Sequence, residues 1–211
     1  MKSEIKDEGF TDSESTIDET NKTTNKKKRK IKPGTVARRE IKKFQEHTSL
    51  VITKAPFERL IRTYVKKDMR IQASALELIR EGVEIYSVDL LMLASRLSQH
   101  ANRMTVMEKD IKEAAELNCL KLISTKMSKE IKSELSKTFR VPVIKRLCRK
   151  AQILRIQGEI YAEFLKYIHP FIDTLVSKVI IYTQYSKRKT ISTDDVEQAF
   201  QIIGRPIYAA V

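Results

Sequence analysis

Two stretches of the chain carry the same order of charged and hydroxyl side chains, 85 positions apart. The first is HANRMTVMEKDI, residues 100–111, and the second is YSKRKTISTDDV, residues 185–196. In each, an arginine precedes a threonine and a β-branched apolar residue, and an aspartate follows four residues later. Guanidinium, hydroxyl and carboxylate groups bind charged partners or one another. The pattern therefore indicates one unit that occurs twice.

Residue types that support catalysis are present, but their spacing does not favour a reaction centre. The three histidines are scattered without partners at metal-ligand spacing, and no glycine-rich phosphate loop occurs. Neither Cys119 nor Cys148 has the neighbours of a nucleophile. The adjacent carboxylates Asp194 and Asp195 are better explained by the start of a helix. We expect no metal, no cofactor and no enzyme activity.

The charge of the chain is large and unevenly distributed. The net charge is +14, but residues 1–25 hold three lysines against seven acidic residues. A basic run follows, KKKRKIK, and residues 33–211 carry a net +12. A folded body this basic is expected to bind a polyanion, with nucleic acid the first candidate. Within the run, a nuclear-import or DNA-contacting patch is predicted at Lys26, Lys27, Lys28, Arg29 and Lys30.

Apolar periodicity predicts an all-α chain in which a short–long–short helix pattern occurs twice. Residues 1–32 are poor in apolar side chains and are predicted to be disordered, and residues 119–138 are predicted to be a linker, in part helical. A mid-helix proline, Pro170, should cost the second long helix one hydrogen bond and kink it. The predicted helices are a leading helix after Pro33–Gly34, then 56–66, 72–100 and 107–118, and then one from Pro142, 157–185 and 192–202 with Ser192 as N-cap.

Neither copy can bury the apolar face of its long helix alone. Two copies can do so by crossing their long helices head to tail, which makes the repeat two halves of one intertwined domain. A four-helix bundle with added segments fits the same periodicity. The two cysteines are too few for a disulfide framework, and no long apolar run appears, so a soluble protein of a reducing compartment is expected.

Several stretches resemble core histones, in order along the chain. KPGTVARREIKKFQEHTSLVITKAPFERLIR, RIQASALELIREGVEIY and HANRMTVMEKDIKEA resemble histone three. VPVIKRLCRKAQILRIQGEIYAEF and YTQYSKRKTISTDDVEQAFQIIGRPIY resemble histone four. The resemblance covers residues 32–118 and 139–208. It implies two histone folds in one chain, paired as an intramolecular handshake dimer, and the fusion looks like the histone doublets of large DNA viruses.

The domains that follow are a disordered tail (1–32), a histone-three-like fold with a leading helix (33–118), a linker (119–138) and a histone-four-like fold with a C-terminal docking strand (139–211). A divergent eukaryotic protein or an engineered fusion remains open as the source. The implied locations are chromatin, the host nucleus or a viral factory, and the virion if the protein is viral.

The resemblance implies sequence-independent packaging of double-stranded DNA in a nucleosome-like particle. Loop amides, helix N-termini and inserted arginines would hold the phosphate backbone and minor groove. Arg70 and Arg155 match the inserted arginines of the family. The predicted DNA-binding residues are Lys32, Arg39, Lys54, Arg59, Arg62, Arg70, Thr105, Lys145, Arg146, Arg149, Arg155, Lys187, Arg188, Lys189 and Thr190.

Further roles follow from the resemblance. Arg103 with Asp110, and Arg188 with Asp195, would clamp the second loop of each copy onto its last helix. Two chains would join through the first copy, at Leu97, His100, Arg103, Asp110 and Ile111. A pair or doublet resembling histones two-A and two-B would dock at Tyr182, Gly204 and Tyr208.

The chain also departs from the family. Its first loop before Arg70 is shorter, Asn102 stands where lysine is usual, and the long basic tail of histone four is missing. The alternative function is that of a histone-fold regulatory subunit of a transcription complex that does not wrap DNA.

Overall fold

The computed structural model describes residue 32 and residues 34–46, 49–65, 67–118 and 127–205. Residues 1–31 of the predicted disordered tail, which include the basic run at 26–30, lie outside the described residues, as does Tyr208 of the predicted docking strand.

The described chain is mostly helical, and its elements follow one order twice. The first copy contains α1 (Thr35–Glu46), α2 (Lys54–Tyr64), β1 (Arg70–Ile71), α3 (Ala73–His100), β2 (Thr105–Val106) and α4 (Glu108–Leu117). The second contains α5 (Lys129–Thr138), α6 (Val141–Lys150), β3 (Arg155–Ile156), α7 (Ile160–Tyr185), β4 (Thr190–Ile191) and α8 (Thr193–Ile202). The predicted all-α class and the short–long–short order are confirmed.

Local sequence signals explain where the second copy's helices begin. Pro142 occupies the first turn of α6, where its missing N–H costs nothing. The Ser128 hydroxyl caps α5 by accepting a hydrogen bond from the backbone N–H of Ile131 at 3.2 Å. At α8, the N-cap is Ser192, and its backbone N–H donates to Asp195 at 3.1 Å.

The core lies where the two long helices meet. Tyr86 of α3 stacks on Phe171 of α7, with ring centroids 3.8 Å apart and planes 6° from parallel. Both rings are buried, and burying an aromatic side chain of this size contributes about 1.5–3 kcal/mol. Pro170 is also buried, within a helix that runs from Ile160 to Tyr185.

The short helices exchange partners between the copies. The last helix of each copy packs on the long helix of the other, α4 on α7 and α8 on α3. The leading helix α1 packs on α6, and α5 packs on α2. Two parallel ladders complete the exchange, because β1 pairs with β4 and β2 pairs with β3. The predicted intramolecular handshake is therefore confirmed, and a plain four-helix bundle is not the architecture.

Half of the segment predicted as a linker is a packed helix, α5. Its Leu135 and Thr138 are buried, and the Thr138 hydroxyl donates to the Pro56 carbonyl at 3.1 Å. Phe139, directly after the helix, meets Phe164 edge-on at 6.2 Å between centroids. Because α5 packs on α2 as α1 packs on α6, it is the second copy's own leading helix.

A buried carboxylate ties the loop after α1 to both copies. Glu84 of α3 is 1% exposed and accepts hydrogen bonds from the backbone N–H groups of Val51 (2.7 Å) and Ile52 (3.1 Å). The ammonium of Lys150, at the end of α6, also donates to Glu84 at 2.7 Å. A buried carboxylate needs such partners, and here they join three elements.

A second tie lies after α8, at Arg205. Its guanidinium donates to Asp89 at 2.7 Å and to the Asn118 side-chain carbonyl at 2.5 Å. The same group lies over the Tyr86 ring, 5.1 Å from its centroid. The end of the second copy is thereby fixed to α3 and to the end of α4.

Candidate nucleic-acid interface

The two short ladders bring predicted DNA-binding residues of opposite copies together. Arg70 lies opposite Thr190 in the β1–β4 ladder, and Thr105 lies opposite Arg155 in the β2–β3 ladder. The backbone N–H of Arg70 donates to the Lys189 carbonyl at 2.8 Å. Each ladder therefore places one exposed arginine beside one half-buried threonine. Arginine and hydroxyl side chains are both among the groups that contact DNA phosphates.

The loops beside the ladders share a backbone conformation but differ in charge. Asn102 and Lys187 have positive φ angles of 52° and 54°, which asparagine tolerates better than lysine. Lys187 and Lys189 are exposed beside β4, whereas Asn102 and Met104 occupy the matching positions beside β2. The lysine side chains are free to reach phosphates, and sequence reasoning missed a further exposed lysine, Lys67, before Arg70.

The first predicted clamp is formed at close range. Arg103 donates to both carboxylate oxygens of Asp110, at 2.6 and 3.1 Å, and to the Thr105 carbonyl at 3.3 Å. Asp110 also accepts from the backbone N–H of Met107 at 2.7 Å. The hydrogen bond to Asp110 raises the pKa of Arg103. This guanidinium therefore holds the loop rather than extending from it.

The second clamp is similar but more open. Arg188 donates to Asp195 at 2.7 Å and to the Ser192 hydroxyl at 2.9 Å. The Arg188 side chain is 44% exposed, against 22% for Arg103. One face of Arg188 thus remains accessible to an anion.

The arginines of α2 and α6 differ in their exposure and in their ion pairs. Arg59 of α2 and Arg146 of α6 are exposed. Arg62 is 70% exposed and pairs with Glu58 at 2.6 Å, a surface contact that a phosphate can displace at little cost. Lys54 pairs with Glu77 at 2.8 Å and is half exposed. The remaining predicted cations Lys32, Arg39 and Lys145 are exposed.

Arg149 departs from its predicted role as a phosphate ligand. Its Nε donates to Glu40 of α1 at 2.9 Å, and its Nη1 donates to the carbonyls of Ile153 and Leu154 at 2.7 and 2.8 Å. Only 23% of the side chain is exposed. Three hydrogen bonds within the protein occupy the Nε and Nη1 atoms of Arg149, an arrangement that disfavours the direct phosphate contact predicted for this residue.

The predicted self-association residues divide between surface and core. His100 is exposed and Leu97 is half-buried. Asp110 and Ile111 are 1% and 0% exposed, because they pack inside the chain and Asp110 serves its own clamp. Of the predicted contact residues, the exposed His100 and the half-buried Leu97 are therefore more accessible to a second chain than Asp110 and Ile111. Sequence reasoning missed two large apolar side chains exposed in the first copy, Met104 in the loop after α3 (65%) and Leu117 at the end of α4 (58%).

The corresponding end of the second copy is apolar and accessible. Tyr182 is half-buried, and Gly204 is exposed with a φ of 77°, a conformation that favours glycine. Tyr185 is 87% exposed, and Ile181 and Ile202 are 56% and 58% exposed. Ile181 and Tyr185 lie one turn apart on α7, and neighbouring exposed apolar side chains are typical of a protein contact.

Other chemistry finds little support in the part of the chain that the structure describes. No group of three or more histidine, cysteine or acidic side chains there could hold a metal ion. Burial raises the pKa of the Cys148 thiol to about 12, which disfavours the reactive thiolate. None of the described helices is both long and apolar enough to span a membrane.

Comparison with known proteins identifies the fold. Residues 33–117 match the family model of the core histone domain, which is shared by histones two-A, two-B, three and four. The structure is similar to the crystal structure of the histone from Methanopyrus kandleri, with a TM-score of 0.58 and 21% sequence identity. That match covers 72% of this chain and 94% of the other. The chain therefore contains a core histone fold, and the share covered exceeds what either copy alone could supply.

Proposed function

We propose that this chain packages double-stranded DNA by gripping its backbone without reading its sequence. The observation that carries the proposal is the ladder register, which sets Arg70 beside Thr190 and Arg155 beside Thr105. Exposed lysines and arginines flank these positions on α2, on α6 and in the loop before β4. The core histone match over residues 33–117 and the likeness to an archaeal histone support the same function. No step of it requires a cofactor or catalysis.

The finer proposal is that the chain is a fused doublet, with a histone-three-like first half and a histone-four-like second half. It would form the tetramer-forming part of an octamer-like core, as the histone doublets of large DNA viruses are expected to do. The proposed domains are a tail (1–32), a first fold (33–118), a linker (119–138) whose second half is the leading helix α5, and a second fold (139–211). Chromatin is the proposed location, with the host nucleus, viral factory and virion following if the source is viral.

Two protein contacts belong to this proposal. Two chains would join where α3 ends, through Leu97, His100 and the exposed Met104. Another histone pair, resembling histones two-A and two-B, would dock at Tyr182 and the segment from Gly204. The exposed apolar side chains of Met104 in the first copy, and of Ile181 and Tyr185 in the second, support these contacts.

Binding to random-sequence duplexes at several salt concentrations tests the proposed function. Each neutralised phosphate contributes about −0.9 to the slope of log affinity against log salt. Lys189→Ala should reduce the magnitude of that slope by about one for every random sequence tried. Lys112→Ala is the control, because Lys112 lies on α4 and pairs with Glu108 at 2.6 Å.

Two outcomes would overturn the proposal. Failure to bind random duplexes would favour the alternative, a regulatory histone-fold subunit that depends on partners. Strong preference for one sequence at unchanged salt would mean that bases are read, which backbone gripping does not do.

A further inference from the structure

We propose that Arg149 is a positioning residue through which the leading helix α1 sets the DNA grip of Arg155. This inference rests on the proposed function, since it concerns how one of the DNA contacts is held. Arg149 itself would not touch DNA.

The hydrogen bonds of Arg149 join α1 to the loop before β3. On one side its Nε bonds Glu40, the middle of α1, at 2.9 Å. On the other its Nη1 bonds the carbonyls of Ile153 and Leu154, the two residues before Arg155. Two charge-assisted hydrogen bonds to consecutive carbonyls fix the path of the backbone between them. The direction in which Arg155 leaves β3 therefore depends on Arg149.

The loop held by Arg149 needs such a restraint. Gln152 adopts a positive φ of 63°, which costs a side chain other than glycine roughly 1–2 kcal/mol. Its backbone N–H bonds the Arg149 carbonyl at 3.1 Å, and that of Ile153 bonds the Cys148 carbonyl at 2.9 Å. The guanidinium adds to these bonds from the side chain, so the strained turn is held at both ends.

The first copy lacks an equivalent restraint among the described contacts. The buried residues Leu60 and Ile61 of α2 match Leu147 and Cys148 of α6, which makes Arg62 the counterpart of Arg149. The Arg62 guanidinium is 70% exposed and pairs with Glu58 of its own helix at 2.6 Å. Of the two first loops, the one before Arg155 is thus the one that a leading helix can influence through such a contact.

Helix α1 is suited to a regulatory role because it is lightly packed. Ala37 is its one buried residue, while Ile41 and Phe44 are half-buried. An element with so little buried apolar surface detaches at low free-energy cost. The Glu40–Arg149 pair adds to the packing that holds α1, and detachment of α1 would remove one of the three hydrogen bonds that orient the Arg149 guanidinium.

Two variants with the same change in charge distinguish a positioning role of Arg149 from direct contact between Arg149 and DNA. Glu40→Gln and Glu46→Gln each remove one negative charge from α1, but Glu46 pairs with Lys42 of its own helix, at 3.8 Å. If Arg149 contacted DNA, Glu40→Gln would free it and tighten binding at least as much as Glu46→Gln. We expect the reverse, with Glu40→Gln binding random-sequence duplex roughly three- to tenfold more weakly than Glu46→Gln.

A double-variant cycle with Arg155 provides a readout that general destabilisation would not give. In an Arg155→Ala background, Glu40→Gln and Glu46→Gln should bind DNA with equal affinity, because the group being positioned is gone. Circular dichroism and thermal unfolding of each variant would check that the fold is retained. Arg149→Lys keeps the charge but cannot reach Glu40 and both carbonyls together, so it should weaken binding at least as much as Glu40→Gln does.

The outcomes distinguish this inference from the function on which it rests. Wild-type protein that does not bind random duplex would overturn the proposed function. Normal wild-type binding with Glu40→Gln equal to or tighter than Glu46→Gln would overturn the positioning role alone. The positioning role would also be overturned if Glu40→Gln and Glu46→Gln still differed in DNA affinity by the same factor in the Arg155→Ala background.

Discussion

Asp195 shows how a single side chain secures a loop in this fold. Its carboxylate accepts hydrogen bonds from Thr183, from Arg188 and from both the backbone and the hydroxyl of Ser192. The Asp195 side chain is 3% exposed. If it were removed, Arg188, which is 44% exposed, could form hydrogen bonds with water instead. The buried partners could not. The hydrogen bonds of the clamp therefore stabilise the fold, whether or not DNA is bound.

Removal of this carboxylate should destabilise the fold. Asp195→Ala is expected to lower the free energy of unfolding by about 2–3 kcal/mol, less than for a fully buried pair because Arg188 can rehydrate. The adjacent Asp194 is exposed and is the control, since Asp194→Ala should change stability by no more than about 0.5 kcal/mol. Urea denaturation measures both, and equal effects at the two positions would contradict the clamp.

At the residue scale, the sequence predicted ion pairs between residues close in the chain, but it did not predict ion pairs between distant residues. Arg103 and Asp110 are seven positions apart, and their equal spacing in both copies was visible in the repeat. The partner of Arg149 lies 109 positions away, in α1. The local sequence does not distinguish an arginine that pairs with a distant glutamate from an arginine that has no such partner. The burial of Asp110 and Ile111 was missed for a related reason, because the side that a short helix buries depends on the other copy.

At the scale of elements, α5 is the main addition to what the sequence predicted. The segment is rich in lysine and serine, which favours a linker, and its apolar positions are few. Ser128 as N-cap and the four-residue spacing of Ile131 and Leu135 were the available signals. Their meaning depended on α2, which supplies the surface that α5 covers.

Truncation of the buried contact tests whether α5 is part of the fold. Leu135 is 1% exposed, and Leu135→Ala should lower the free energy of unfolding by about 2–4 kcal/mol through lost packing and a cavity. Ser136→Ala, one residue later on the exposed side, should have little effect. If thermal unfolding of the two variants coincided, α5 would be a tether and not a leading helix.

At the scale of the whole molecule, the repeat accounts for most of what the sequence revealed. Long apolar faces required a second copy for their burial, and the exchange of short helices and ladders provides it. The pairing of β1 with β4 and β2 with β3 then follows from the head-to-tail crossing of α3 and α7. What the sequence could not show is which exposed cations remain free once the copies pack.

The central claim is that this chain wraps DNA as a packaging protein, and nuclease digestion tests it most directly. Random-sequence DNA would be reconstituted with the protein and with a histone pair resembling two-A and two-B, and the protected fragments would be sized and sequenced. Histone octamers wrap about 146–147 base pairs, so protection of roughly 120–147 base pairs with the sequence composition of the input is predicted. Short, irregular fragments enriched in one sequence would contradict the claim.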